Sequence, residues 1–518
     1  MHCHFHNPVS IHSGPGMRRQ IGALAAKYGK KALIVTTGSA HSRALAEEAG
    51  ASLEAAGLGW AHYNGIRPNP LGSMATEGAQ AARDNGCDMV IGIGGGSVMD
   101  ASKGIAFAYY NDAPIFEYIY GRKQGGQALP ILLIATTAGT GSEGNWTAVF
   151  TDTDHVKKGF ALPALYPKES IVDPELMTTL SSRGIAGPGF DALAHAIESF
   201  LSVRANPFSK LYSRQAILWL SEGLPKVQAN PSDLETWERV ALGSTFAGIA
   251  IGNAGCTAPH GIEHPISGLL NVAHGEGLAA IYPEYMRFMR PHAQADFAEL
   301  ARLLGAETSG LTEEEASLRA VEQVDALLKT LGIAFTLSDL GVRESQLDWL
   351  SRTALDSMPA VFANNPAAMT SDDVKTILNA ACKLTRFHNR AALKSLISGP
   401  LGYPALHRRL PPARTKKVRG TGRLCLSPPL PVLRKIFPHL YAGIALHGDK
   451  NDQKDIDGPV DEGQDLPLLL VAVHDVPGDQ PKDGQPDDRP RQFGVQSGNV
   501  GAAEQIQRHI KTERPKNP

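Results

Sequence analysis

Residues 87–110 read CDMVIGIGGGSVMDASKGIAFAYY. Met89 to Ile93 is a short apolar run of the length of a buried strand, and the triplet Gly94-Gly95-Gly96 ends it. From Ser97 onward, apolar side chains recur at three- and four-residue spacing, which predicts a helix. Strand, glycine turn and helix in that order make one half of a parallel crossover. Glycine lets the backbone approach a ligand closely. Ser97 is placed to cap the helix and Asp100 to sit in its first turn. Free N–H groups at such a helix start suit a pyrophosphate.

The same alternation extends outward from this unit. Upstream, FHNPVSIHSGPG reads as a strand and a turn, residues 17–29 as helix, KKALIVTTGS as a buried strand and residues 41–57 as helix. GWAHYNGI is then a strand and NPLGSMATEGAQAARDNG a helix. Downstream, LPILLIATTAGTGSE is a strand ending in a loop with Thr136, Thr137 and Thr140, and KESIVDPELMTTL closes the run. Residues 1–183 therefore read as an α/β nucleotide-binding domain with a parallel sheet. Helical spacing dominates residues 184–383, predicting an all-α domain. Residues 384–518 hold 16 of the 35 prolines and no sustained periodicity. They read as a disordered extension or as an artefact of the reading frame.

Composition narrows the function. The 518 residues are 42% apolar and 20% charged, with 50 basic and 52 acidic side chains. A net charge of −2 excludes a general nucleic-acid or anionic-membrane binder, which needs a basic excess. Five scattered cysteines make no disulfide framework and point to a reducing cytoplasm. The start, MHCHFHNPVS, does not read as a signal peptide, and no apolar run nears the ~20 residues of a membrane span. The expected partners are a small organic substrate and further copies of the chain, with no nucleic acid and no membrane.

GFDALAHAIES carries Asp191 and His195, and APHGIEHPISGLLNVAHGEG carries His260, His264 and His274. Each i,i+4 pair shares one helical face. Two such helices, with His274 on the loop that follows, can converge on one point. A carboxylate among imidazoles suits a divalent transition metal. MHCHFH also looks metal-binding, since His2, His4 and His6 would share one face of a strand, but free termini fray. Cys256 reads as a buried, inert thiol. Trp146, Phe150 and Phe246 are the aromatic candidates for apolar pocket walls.

GGGSVMDASK, ATTAGTGSE, IVDPEL, GFDALAHAIES and HGIEHPISGLLNVAHG occur in the order and at the spacing found in the iron-containing (group III) alcohol dehydrogenases. Residues 5–383 resemble that family throughout, and EGNWTAVF is most similar in texture to its NADPH-linked butanol dehydrogenase branch. The resemblance implies a dehydroquinate synthase-like fold with the site in the cleft between two domains. It implies NAD(P)-linked interconversion of an alcohol with an aldehyde or ketone at Fe²⁺ or Zn²⁺. Carried over by position, Asp191, His195, His260 and His274 fall on the metal ligands. His264 falls on a non-ligand histidine near metal and nicotinamide, placed to relay a proton. Gly95, Gly96 and Ser97 fall on the pyrophosphate turn, Thr136, Thr137 and Thr140 on the nucleotide loop, and Lys157 on a cofactor-contacting lysine.

Many NAD-preferring members carry an Asp after the first buried strand. Here Thr37-Gly38-Ser39 stands there, so no carboxylate repels a 2′-phosphate, and NADP(H) is expected ahead of NAD(H). The run before the first ligand, SSRGIAGPGF, departs from the family. Gly184, Gly187, Pro188 and Gly189 predict a helix that starts near Pro188 or is kinked there. A glycerol dehydrogenase-like polyol dehydrogenase and a non-catalytic paralogue are the alternative functions.

Overall fold

The computed structural model describes residues 3–153 and 156–383; the proline-rich 384–518 extension and His2 lie outside them. Eight strands are β1 Ser10–Ser13, β2 Lys31–Thr37, β3 Gly59–Ile66, β4 Met89–Gly94, β5 Ile131–Ala135, β6 Thr147–Thr151, β7 Lys157–Ala161 and β8 Glu169–Val172. The helices interleaved with them are α1 Ile21–Ala25, α2 Ala40–Ala55, α3 Gly72–Asp84, α4 Gly96–Ala108 and α5 Ile115–Ile119. Helices then follow one another: α6 Ser182–Leu201, α7 Pro207–Ala229, α8 Leu234–Ala254, α9 Ala258–Leu270, α10 His274–Met289, α11 Gln294–Leu303, α12 Glu313–Thr330, α13 Leu347–Ser357, α14 Pro359–Ala363 and α15 Ser371–Lys383.

Six strands form one parallel sheet in the order β1-β8-β5-β4-β2-β3. Its central strands are continuously apolar because both faces are covered. Ala32 and Ile34 of β2 face α1 and α2, whereas Leu33 and Val35 face the larger core shared with α4 and the helical half. In β4 and β5, Gly94 pairs with Ala135, and Thr136 N–H donates to Gly94 O at 3.1 Å. The glycine turn and the threonine loop therefore leave the same edge of the sheet side by side. The antiparallel hairpin β6–β7 is an element the sequence reading does not contain. It carries Thr147, Val149 and Lys157 to the cleft.

The glycine-rich run does not delay or break the helix that carries Asp191 and His195. Helix α6 starts at Ser182, capped by Ser181 through Gly184 N–H, and continues through Pro188 to Leu201. Asp191 thus lies in mid-helix. The glycines serve close packing instead. A Cβ at Gly189 would meet Leu224 Cδ2 at 2.2 Å, and one at Gly275 would meet Gly187 O at 2.0 Å. Helix α10 begins against α6 at that second contact, so His274 is its first residue rather than part of a loop. Gly275→Ala is expected to push the start of α10 off α6 and lower divalent-metal affinity by about tenfold or more, since shifts of groups that orient ligands cost 10–100-fold. Isothermal titration with Zn²⁺ measures this.

Glu169 ties the sheet to its first helix. Its carboxylate accepts from Tyr28 Oη at 2.8 Å, Lys27 Nζ at 2.9 Å and His12 Nε2 at 2.7 Å. Burial opposes its charge, but Lys27, His12 and Tyr28 overcome this and hold the carboxyl down at about 2, against 4.5. A depressed carboxyl stabilises above its unfolded value and loses that contribution as pH falls. Glu169→Gln is expected to cost on the order of 2 kcal/mol at neutral pH. In urea unfolding, the difference from wild type should shrink as pH falls from 4.5 towards about 2.

Among the described residues no single helix is long and apolar enough to cross a membrane. His4 and His6 stack with ring centroids 6.4 Å apart, and among the described residues no metal-capable group forms around them.

Candidate metal and nucleotide site

The C-terminal edge of the sheet and the starts of α4, α6, α9 and α10 enclose a cavity of about 400 Å³. Gly96, Ser97, Asp100, Thr137, Thr140 and Lys157 line it from the sheet side. Asp191, His195, His260, His264 and His274 line it from the helices. Gly94, Gly95 and Thr136 stand behind this wall, at the strand ends. Gly38 and Ser39 lie at the end of β2, outside the cavity.

The donor set of the candidate metal site is built on α6, α9 and the start of α10. Asp191 Oδ1 stands 3.3 Å from His260 Nε2, 3.5 Å from His274 Nε2 and 3.8 Å from His195 Nε2. His260 Nδ1–H donates to Glu198 Oε1 at 2.7 Å, and His274 Nδ1–H donates to Glu263. A carboxylate only accepts, so each glutamate fixes the tautomer that leaves Nε2 free to bind a cation. Glu198 and Glu263 are fully buried. The sequence reading named neither, although a signal was present. Glu198 continues the face of Asp191 and His195 at i+7, and Glu263 lies at i+3 from His260.

The electrostatics suit a divalent cation. Burial alone would raise the Asp191 carboxyl, but His195, His274 and His260 hold it well below the usual carboxylate range. Burial pushes His195 down to about 3, so it is a neutral imidazole. His260 is raised to about 10 by Glu198 and Asp191 against its burial. Three buried carboxylates touching these rings thus demand positive charge, and His260 takes a proton to supply it. A divalent metal among the four Asp191, His195, His260 and His274 would meet the same demand. The residues fit such an ion.

His264 lies one turn beyond His260, with its Nδ1 buried and unpartnered among the described residues. Burial, then the charge of Lys157, lowers it well below an ordinary histidine.

The nucleotide side departs from expectation in two details. Gly95, not Ser97, is the N-cap of α4, with no side-chain cap. Asp100 faces inward, where it accepts from Ser142 Oγ at 2.7 Å and Val149 N–H at 3.1 Å. Beside it the fully buried Lys103 donates to Ser142 O, Ser142 Oγ and Thr147 O at 2.7–2.8 Å. This pair clamps the threonine loop and β6 onto α4. The glycines permit the fit: a Cβ at Gly96 would meet Thr140 Cγ2 at 2.3 Å.

None of the three aromatic wall candidates reaches the cavity. Trp146 stacks on Tyr166, Phe246 stacks on Trp219, and Phe150 is buried against Gly104 of α4. The apolar wall is made by Val149, Ile251, Met358 and Val361, with Cys256 beside them. Cys256 is half-buried in the α8–α9 linker and opens onto the cavity.

Residues 8–174 match the iron-containing alcohol dehydrogenase family, and residues 185–382 match the C-terminal part of the same family. The chain is 33% identical to the NAD-dependent methanol dehydrogenase of Bacillus methanolicus, over 72% of this chain and 98% of that one. It is 32% identical to the lactaldehyde reductase of Escherichia coli K12, over 70% and 96%. Among solved structures it superposes on the NADH-dependent butanol dehydrogenase A of Thermotoga maritima with a TM-score of 0.68 and 29% identity, over 74% and 99%. With both halves of the chain matching the family and the relatives in agreement, the chain belongs to the iron-containing alcohol dehydrogenase family and is a metal-dependent, nicotinamide-linked alcohol dehydrogenase.

Proposed function

We propose that this dehydrogenase interconverts small apolar alcohols and aldehydes with NADP(H) in preference to NAD(H), at a centre of Fe²⁺ or Zn²⁺ held by Asp191, His195, His260 and His274. The observation that carries this is the approach of three imidazole Nε2 atoms to one carboxylate oxygen in the cavity that Gly96 and Ser97 also line. When bound, the metal supplies Lewis acidity to the substrate oxygen and the nicotinamide supplies or takes the hydride. The chain's own part is positional. Gly94, Gly95, Gly96 and Ser97 offer backbone to the pyrophosphate, and Thr136, Thr137 and Thr140 hold the adjoining nucleotide. Val149, Ile251, Met358 and Val361 keep water from the reacting carbon. His264 passes the hydroxyl proton outward, its ring held well below the ordinary histidine range by burial and then by Lys157.

For the 2′-phosphate, Thr37-Gly38-Ser39 bears no carboxylate, and Arg43 Nη1 donates to Gly38 O at 2.8 Å. A guanidinium beside a glycine supports room and charge for a phosphate. The relatives named for NAD or NADH make this a point to measure. Rates with NADPH and NADH should be compared on a series of short alkanals after Fe²⁺ or Zn²⁺ loading. We expect kcat/KM about tenfold higher with NADPH, and Ser39→Asp should reverse the order. An NADH preference in the wild type would overturn the assignment. Exposed Phe208, Leu211 and Leu218 on one face of α7 support self-association, and the scattered free cysteines support a cytoplasmic enzyme.

A further inference from the structure

Three imidazoles face Asp191, and two of them are held from behind by a carboxylate. Glu198 takes His260 Nδ1–H and Glu263 takes His274 Nδ1–H. His195 differs. It presents Nε2 to Asp191 at 3.8 Å, the longest of the three approaches, and its Nδ1 is buried with no hydrogen-bond partner among the described residues. A buried nitrogen of this kind calls for a partner.

The backbone of Gly139, in the loop between β5 and β6, stands beside this nitrogen, outside bonding geometry. Packing fixes its place. A Cβ at Gly139 would meet Pro188 Cβ at 2.9 Å and Pro188 O at 3.3 Å. Pro188, Asp191 and His195 follow one another at i, i+3 and i+7 along one face of α6. The Gly139 N–H is already committed, since it donates to Oγ of the buried Ser244 on α8 at 2.8 Å. The polar atom left to Gly139 is its carbonyl oxygen, an acceptor. By accepting from Nδ1–H it would leave His195 Nε2 free for a cation, as the two glutamates do for the other rings.

The same loop carries the nucleotide side. Thr136 N–H donates to Gly94 O at 3.1 Å, and a Cβ at Gly95 would meet Thr137 Oγ1 at 2.9 Å. Beyond Gly139 the loop is wedged against α8. A Cβ at Gly248 would meet Gly141 O at 2.0 Å, and Thr245 Oγ1 donates to Glu143 Oε1 at 2.7 Å. Gly139 lies between Thr137 and Thr140, so whatever positions the threonines also positions its carbonyl.

We propose that Ser244 is a positioning residue that turns the Gly139 carbonyl towards His195 Nδ1–H, so that the nucleotide loop completes the orientation of a metal ligand and the two sites bind cooperatively. The proposal rests on the metal and nucleotide assignments above. Linkage makes the coupling reciprocal, so nucleotide affinity reports it.

ADP-ribose is the probe, because it carries the pyrophosphate without the nicotinamide and does not depend on the choice between NADP(H) and NAD(H). Full-length protein, zinc-loaded or metal-free and then dialysed, is titrated with it by calorimetry. We expect binding about fivefold tighter or more in the zinc form. In Ser244→Ala, which leaves the Gly139 N–H without its acceptor, the two forms should bind alike. Equal affinities in the wild type with zinc retained overturn the coupling and leave the metal assignment standing. A ratio unchanged in Ser244→Ala overturns the role of Ser244. Wild type that retains no zinc overturns the proposal together with the metal assignment. Should Ser244→Ala fail to fold, the wild-type ratio is measured again in about 1 M salt, where the Debye length is about 3 Å and attraction between zinc and the phosphates is screened. A ratio that persists supports coupling through Gly139, and one that collapses overturns it.

Discussion

Asp191→Asn will lose its divalent metal on dialysis, and kcat/KM will fall by more than about a hundredfold, since even displacing groups that orient ligands costs 10–100-fold. The substitution keeps the volume and removes only the charge that three imidazole Nε2 atoms share at 3.3–3.8 Å. Glu198 and Glu263 will still hold His260 and His274 in place, so the fold should survive. Circular dichroism and the melting temperature should therefore stay close to wild type while metal content drops. A variant that retains stoichiometric metal and full activity would contradict the role given to Asp191.

Lys103→Met acts on the other half of the site. Lys103 is fully buried, and its ammonium holds two backbone carbonyls, one hydroxyl and the neighbourhood of Asp100. Removing this ammonium leaves buried acceptors without their donor, which costs about 3 kcal/mol. Urea unfolding should show a loss of that size. Nucleotide binding should weaken about tenfold, the threonine loop no longer being clamped to α4. The pH dependence has a definite sign. Burial lowers Lys103 to about 8, against 10.5, despite Asp100 and Glu143. Between those values the unfolded chain binds the extra proton, so wild-type stability from this group rises with pH. The gap between wild type and Lys103→Met should widen, not close, from pH 8 to 10.5.

Much of the fold and the grouping of Asp191, His195, His260 and His274 is legible in the sequence. The parallel sheet followed from strands such as MVIGIG and ILLIA, whose unbroken apolar character comes from having both faces covered. The two i,i+4 pairs read as helix faces because helical spacing is rigid. What was hidden depended on contacts distant in sequence. The glycines and Pro188 before Asp191 read as a weak helix by propensity, yet α6 is continuous because α7 and α10 pack against those bare positions. Ser97 looks like a cap until the backbone places Gly95 there. Hairpin β6–β7 was missed because its strands are short and pair with each other, away from the main sheet. That Cys256 lines the cavity was equally hidden, because no spacing rule reveals the turn at Gly255.

The most direct test of the account is metal analysis of the full-length protein, purified without chelator, alongside aldehyde reduction by NADPH. Stoichiometric iron or zinc is predicted in the wild type, with turnover that vanishes on chelation and returns when Fe²⁺ or Zn²⁺ is added back. Turnover that continues undiminished in demonstrably metal-free protein would contradict it.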